Sequence, residues 1–512
     1  MLEESQNNKR IARNTLFLYM RMLLSMLISL YTSRVTLAML GIVDYGVYNV
    51  VGGVISMFAF LNSSMASSTQ RFLTFSLGKG DLPQLKKVFA ASLNIHIILA
   101  LFVALLGETI GLWFLNTKLV IPADRLFAAN IVYQLTILMS VMSIIQVPFD
   151  GAIIAHEKMD VFAYFSLLDI TLKLIVVFIL MAVSWDKMIL LAILNTLVVL
   201  LMTTLYKIYC SRHFKEVGFH VFYDKPLYKQ LVSFAGWNLF GAGAVISKDQ
   251  GLNMLLNMFF GPVINAARTV AYQVSSAVSG FMFNFQSAIN PQVVKYYASN
   301  ERDSMERLVY RGSKLSFLLT FFIGFPAALN IDFILNLWLV DVPKYANIFI
   351  ILLLIDNIIF GIFGSPMSNA LQATGNIRRF QVVVSCIIMA ILPLSYVFLK
   401  LGCGSQFVFI ISIFITFFSG VARYSFCVYQ VGFHIKLFFS MVVKRVFLIL
   451  LVSMPVPLMV KHFYAASTWH DFLIVLMVTL IISLIAIYAV GLEKGEKLYV
   501  RKILSDRIRR WM

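Results

Sequence analysis

The stretch Ser233–Pro291, SFAGWNLFGAGAVISKDQGLNMLLNMFFGPVINAARTVAYQVSSAVSGFMFNFQSAINP, decides the architecture. It holds two long apolar runs joined by Gly261-Pro262. Inside them sit Lys248, Asp249 and Arg268, with Asn253, Asn257, Gln273 and Gln286. A charge in hydrocarbon is costly unless it faces protein or a watery cavity. The stretch therefore reads as a hairpin of two membrane helices that supplies half of a cationic cavity. A second hairpin, from Leu16 to Arg71, is expected to supply the other half.

The rest of the chain shares this character. Its 512 residues are 60% hydrophobic and 13% charged, with a mean hydropathy of +0.85. Soluble domains carry about 25% charged residues, so the fold class is an all-α polytopic membrane protein. A helix needs about 20 residues to cross a bilayer, and that length gives about fourteen spans. They are expected at 14–36, 46–68, 88–115, 125–148, 161–183, 188–209, 232–260, 266–290, 312–339, 345–370, 380–400, 406–430, 441–461 and 471–491.

The net charge is +18. In a soluble protein that balance would suggest nucleic acid, but here no hydrophilic segment is long enough to bind it. The basic residues cluster at alternate loops, among them Lys86, Lys87, Lys207, Arg212, Arg307, Arg311, Arg378, Arg379, Lys444 and Arg445. The positive-inside rule then puts both termini in the cytosol. The opposite loops are too short for an extracellular enzyme domain.

Cys210, Cys386, Cys403 and Cys427 form no C-x-x-C pair, and the seven histidines form no H-E-x-x-H. There is no phosphate loop and no nucleophile elbow. The reading is therefore no metal, no cofactor, no disulfide and no enzyme.

The chain repeats itself. Met39-Leu40-Gly41 matches Phe259-Phe260-Gly261, and Pro148-Phe149-Asp150-Gly151-Ala152 matches Pro366-Met367-Ser368-Asn369-Ala370 at almost the same offset. An even-numbered repeat keeps both copies in one orientation, with the substrate site expected between them. The expected organisation is a six-helix bundle over 1–210, a cytosolic linker over 211–231, a second six-helix bundle over 232–430, and two extra helices with a basic tail over 431–512.

Polar residues fall in stripes at helical spacing on the first, second, seventh and eighth spans. The first carries Arg21, Ser25, Ser29, Thr32 and Thr36; the second Asn49, Gly52, Ser56, Ser63 and Ser67. The seventh carries Asp249, Asn253 and Asn257 with Lys248 beside them; the eighth carries Arg268, Tyr272, Ser275, Ser279, Gln286 and Asn290. Small polar residues often only join helices. That explanation suits the serines but not Arg21, Lys248 and Arg268. Those three, with Asn253, Asn257 and Gln273, are the expected substrate-binding residues, suited to an anionic headgroup such as a pyrophosphate.

Asp249 either neutralises Lys248 or belongs to ion coupling. Asp356, beside Asn357, is either a proton relay or a hydrogen-bond partner. Asp169 and Lys173, four apart, read as a structural pair.

Gly41-Ile42-Val43-Asp44-Tyr45-Gly46-Val47-Tyr48 resembles the LG-x-x-x-YG-x-Y element of the polysaccharide-exporter and O-antigen-flippase family, and Leu371-Gln372-Ala373-Thr374-Gly375 resembles its LQATG element. The superfamily also holds multidrug exporters and the peptidoglycan-precursor flippase. The resemblance implies two six-helix bundles around a cavity open to one side at a time. It implies a bacterial cytoplasmic (inner) membrane location and the flipping of a polyprenyl-pyrophosphate-linked oligosaccharide for O-antigen or capsule. A proton or sodium ion would drive the cycle, and the polyprenyl tail would stay in membrane lipid. In that family basic residues of the first, second, seventh and eighth spans line the cavity. Arg21, Lys248 and Arg268 match this, whereas the second span here has no basic residue before Arg71.

Overall fold

The computed structural model describes residues 2–56, 59–117, 121–218, 224–260, 262–339, 342–464, 468–493 and 495–497. Only the backbone is described at 2–13 and at scattered positions from 30 to 62 and from 254 to 266. The Gly261 turn and the tail beyond Lys497, both read from sequence above, lie outside the described residues, as do the Asn49, Gly52, Ser56 and Asn257 side chains.

The described residues are all-helical, with no strand among them. The long helices are α1 (Leu2–Ser56), α2 (Ala59–Lys79), α3 (Leu82–Thr117), α4 (Ala123–Ala155), α5 (Met159–Ala182), α6 (Lys187–His213), α7 (Lys225–Phe260) and α8 (Pro262–Ala298). They continue as α9 (Arg302–Leu329), α10 (Ala346–Thr374), α11 (Arg378–Lys400), α12 (Gln406–Val431), α13 (Ile435–Phe463) and α14 (Trp469–Gly491). Ten of them are long and apolar enough to cross a membrane; α7 and α8 are not among those ten.

Several boundaries differ from those expected. Helix α1 runs 55 residues, with its geometry interrupted at Gly41 (φ 75°), and the second span's helix continues to Lys79 rather than 68. Helices α7 and α8 are 36 and 37 residues long. Hydropathy marks only the part a bilayer would cover, whereas helix propensity and packing carry the backbone further. Turns of π geometry interrupt α3 at Gly107–Gly111, α10 at Phe360–Gly364, α13 at Phe439–Val443 and α14 at Ile487–Gly491. Nothing in hydropathy encodes these.

The chain divides into two compact units: 1–242 with 290–300, and 243–289 with 301–512. In unit 1, α4 packs on α6, α3 and α2. Phe89 meets Phe149 edge-on at 5.6 Å, and buried Tyr133 donates its hydroxyl to the Gly107 carbonyl at 2.7 Å. The C-terminal ends of α2 and α8 meet where Gly78 lies against Lys295 and Ala298; a Cβ there would sit 2.8 Å from that of Ala298.

Unit 2 has its core where α7, α8, α10 and α12 meet, built on Leu252, Leu256, Ile264, Phe349, Leu353 and Phe409. Helix α14 covers α9. The chain after α14 is tied to it: Lys314, fully buried on α9, donates to both Glu496 oxygens at 2.9 and 2.7 Å, with Glu493 at 3.6 Å.

The repeat is visible in matching contacts. On α6 the Cys210 thiol donates to the Phe149 carbonyl at 3.6 Å; on α12 the Cys427 thiol donates to the Met367 carbonyl at 3.6 Å. Each acceptor follows the proline of the repeated stretch. Both thiols are free, as the sequence suggested.

Candidate functional site

The site residues of unit 2 come from α7, α8, α10 and α12. Lys248 is mid-helix, 12 residues before Phe260, which is about 18 Å at the rise of an α-helix. It is therefore out of reach of that helix end. Arg268 follows the turn into α8. Its Nη2 donates to the backbone carbonyl of Asp249 at 2.9 Å, and its Nη1 to Asn253 Oδ1 at 3.4 Å. Its guanidinium also lies over the Tyr272 ring, 4.3 Å from the centroid. All these partners are neutral, and no carboxylate pairs with Arg268 among the described residues. The carbonyl, not the carboxylate, of Asp249 serves it.

Asp356 on α10 sits beside the hydroxyls of Ser412 and Thr416 on α12 and within electrostatic reach of Lys248 and Asp249. Its Oδ1 is buried with no hydrogen bond. Five expected residues thus converge: Lys248, Asp249, Asn253, Arg268 and Asp356. Gln273 does not join them. It is exposed, because five residues at 100° per residue turn it about 140° from Arg268.

Arg21 is in unit 1. Its Nη1 reaches Ser166 Oγ at 3.4 Å and its guanidinium lies 5.0 Å from the Phe162 ring, both on α5. Asp169 and Lys173 form their expected i,i+4 pair at 2.8 Å. The stripe on α8 divides in two. Ser275 accepts from Asn357 at 2.8 Å. Buried Gln286 donates to Ser316 Oγ at 2.5 Å and accepts from Asn369 at 3.1 Å. These join α8 to α9 and α10, as packing alone would have it.

Other polar groups escaped the sequence reading because their partners are distant in the chain. Arg125 bridges Asp44, of the LG-x-x-x-YG-x-Y stretch, and Asp186, reached at 2.7 Å. Asp186 also caps α6. Burial pushes its carboxyl up, but Arg125 and the Ile189 and Met188 amides outweigh this and hold it below the usual range. Lys295 pairs with Glu157 at 2.7 Å, and Glu157, at φ 58°, also accepts from Asn14 through its carbonyl at 3.2 Å. Only an alignment of the two ends in space reveals such pairs. Gly375 of the LQATG stretch is the left-handed cap of α10, with φ 77°, a conformation that favours glycine.

No family model matches the chain, and no curated protein does. Solved structures do match. A MATE structure in the bent conformation superposes with a TM-score of 0.72 at 13% identity, covering 83% of this chain and 96% of that one. An outward-facing multidrug resistance MATE family transporter of the MOP superfamily gives 0.70 at 13% identity, with the same coverage. A MOP superfamily transporter from Pyrococcus furiosus, described as having a binding pocket of reverse polarity that suggests a different function, gives 0.70 at 12% identity and the same coverage. The fold is that of the MATE transporters, and this chain is a multi-pass membrane protein with it.

Proposed function

We propose that this protein is a transporter that flips a polyprenyl-pyrophosphate-linked oligosaccharide from the cytosolic to the outer leaflet by alternating access. One observation carries the reading. Among the described residues Arg268 bonds to neutral acceptors alone, so its charge is available to an anion. A guanidinium in a low-dielectric setting binds phosphate oxygens with two parallel hydrogen bonds. Lys248 adds charge, and Asn253 positions Arg268. The reverse polarity reported for the Pyrococcus transporter supports a pocket of different sign on this fold. In this reading both termini are cytosolic in a bacterial inner membrane, and the division at 211–231 separates two bundles of common origin. The test is Lys248→Ala and Arg268→Ala in the cell. Surface polysaccharide should fall sharply at normal expression of the variants. An unchanged polysaccharide would overturn the site.

A second reading, a cation-coupled multidrug exporter, draws on Asp249 and Asp356 and on the multidrug transporter among the structural neighbours. Drug-resistance profiling on overexpression separates the two. A third, a peptidoglycan-precursor flippase, predicts that deletion is lethal. Within the first reading Asp356, with its unfilled Oδ1 next to Lys248, is the coupling residue for a proton or sodium ion.

A further inference from the structure

Arg423 on α12 lies apart from the residues above. It is 7% exposed. Its Nη1 donates to Ser419 Oγ at 2.9 Å, one turn earlier on the same helix. Its Nε is buried with no hydrogen bond, and its guanidinium is 5.9 Å from the Phe360 ring centroid. No carboxylate pairs with it among the described residues. The acid on the facing helix, Asp356, sits beside Thr416, seven residues and about 10 Å of helical rise away. A buried charge without a partner is costly, and breaking such a pairing costs several kcal/mol.

The repeat shows what is missing. Tyr206 is four residues before Cys210, and Arg423 four before Cys427. In unit 1 Tyr206 lies in the field of Asp150, the residue after Phe149, and of Arg21. The residue after Met367 is Ser368. At the matching positions unit 1 therefore has a phenol and an acid, and unit 2 a guanidinium and a hydroxyl. No carboxylate stands at the position of unit 2 that matches Asp150.

We propose that Arg423 anchors a phosphate-binding site in unit 2. Ser419 holds Nη1, and the opposite edge, Nε with Nη2, is unfilled. That edge matches two oxygens of one phosphate. The π turn Phe360–Gly364 faces it, a geometry common at functional positions. Gly420 lies so close to Phe363 that a Cβ would approach it to 2.6 Å, which brings the α12 backbone against that turn. The opposite face of α12 exposes Phe414, Phe418 and Tyr429. The phosphate comes either from an anionic phospholipid headgroup or from a free or substrate diphosphate. The site stands independently of the Lys248–Arg268 reading.

The full chain is purified in detergent and titrated separately with phosphatidylglycerol and with inorganic pyrophosphate, reading lipid retention by native mass spectrometry and ligand-dependent shifts in unfolding temperature. Arg423→Gln should weaken binding of the responsive probe at least about tenfold, and Arg423→Lys, which keeps the charge but loses the fork, less. The titrations are repeated in an Arg268→Ala background, where the Arg423-dependent part of the response should persist. A response to phosphatidylglycerol alone identifies a lipid site, and one to pyrophosphate alone a diphosphate site. Either, when Arg423→Gln removes it in that background, supports the proposal. Should Arg423→Gln fail to fold, Ser419→Ala carries the same test with a smaller loss. Equal probe affinity in a folded Arg423→Gln, or stabilisation by chloride that matches both probes, overturns it.

Discussion

In unit 1, Arg125 joins Asp44 and Asp186 where α4 and α6 begin, and Lys295 joins Glu157 between α4 and α5. In unit 2, Lys248, Arg268, Asp356 and Arg423 lie within helices, and among the described residues the two arginines bond only to neutral groups. These pairs of unit 1 fasten helix ends, whereas the four groups of unit 2 lie in mid-helix, as Arg21 does in unit 1. Ion pairs at helix ends are partly hydrated and stabilise a position. Charges in mid-span cost stability and are kept where they meet a ligand. On the proposed reading, the mid-helix charges of unit 2 meet the anion and the end pairs of unit 1 hold position.

Unit 2 also has one fastening of the unit 1 kind, and removing it should have the largest effect on stability. Glu493→Gln with Glu496→Gln leaves buried Lys314 with no counter-charge. The expected loss is about 3–5 kcal/mol, read by thermal unfolding of the detergent-purified chain. Retained stability would mean that unit 2 tolerates any unpaired charge, and the contrast would lapse. Lys295→Met removes one partner of the buried Glu157 carboxylate in unit 1. It should cost about 1–3 kcal/mol, and a double-mutant cycle with Glu157→Gln should show the two residues coupled.

Glycines sharpen the same contrast. Gly78→Ala drives a methyl into Ala298 and Lys295 and should cost about 1–3 kcal/mol. Gly243→Ala on α7 meets nothing within 4 Å, and should be neutral or stabilising by about 0.5–1 kcal/mol.

The smallest effect is on pH. His434, exposed at the start of α13, is raised above its ordinary 6.5 by its hydrogen bond to Glu306 and that group's charge. A folded pKa above the unfolded one stabilises fully below the unfolded value and is lost as pH rises through the folded value. Unfolding temperature should therefore decline slightly from mildly acid to mildly alkaline pH, and Glu306→Gln should flatten that slope.

Most of the fold was legible because hydropathy and charge asymmetry are written locally. A span needs only its own residues to be recognised, and the Pro148 and Pro366 stretches announced the repeat that Cys210 and Cys427 now display. The site was half legible. Arg268 and Asn253 could be joined through the hairpin, and Asp249 came with them, though through its carbonyl. Gln273 lies apart from these residues because of its angle on the helix. Asp356 beside Ser412 and Thr416, Lys295 beside Glu157 and Lys314 beside Glu496 needed the tertiary fold. No periodicity carries a contact across more than a hundred residues.

The polarity of α7 and α8 has a consequence for how the chain is made. Neither is among the helices apolar enough to cross a membrane on their own account, and each mid-helix Lys or Arg adds about 2.5–3.5 kcal/mol to the free energy of insertion from the translocon. A helix carrying such a charge inserts more readily beside neighbours that shield it than alone, so the same charges that would meet an anion on the proposed reading also tax the assembly of this hairpin.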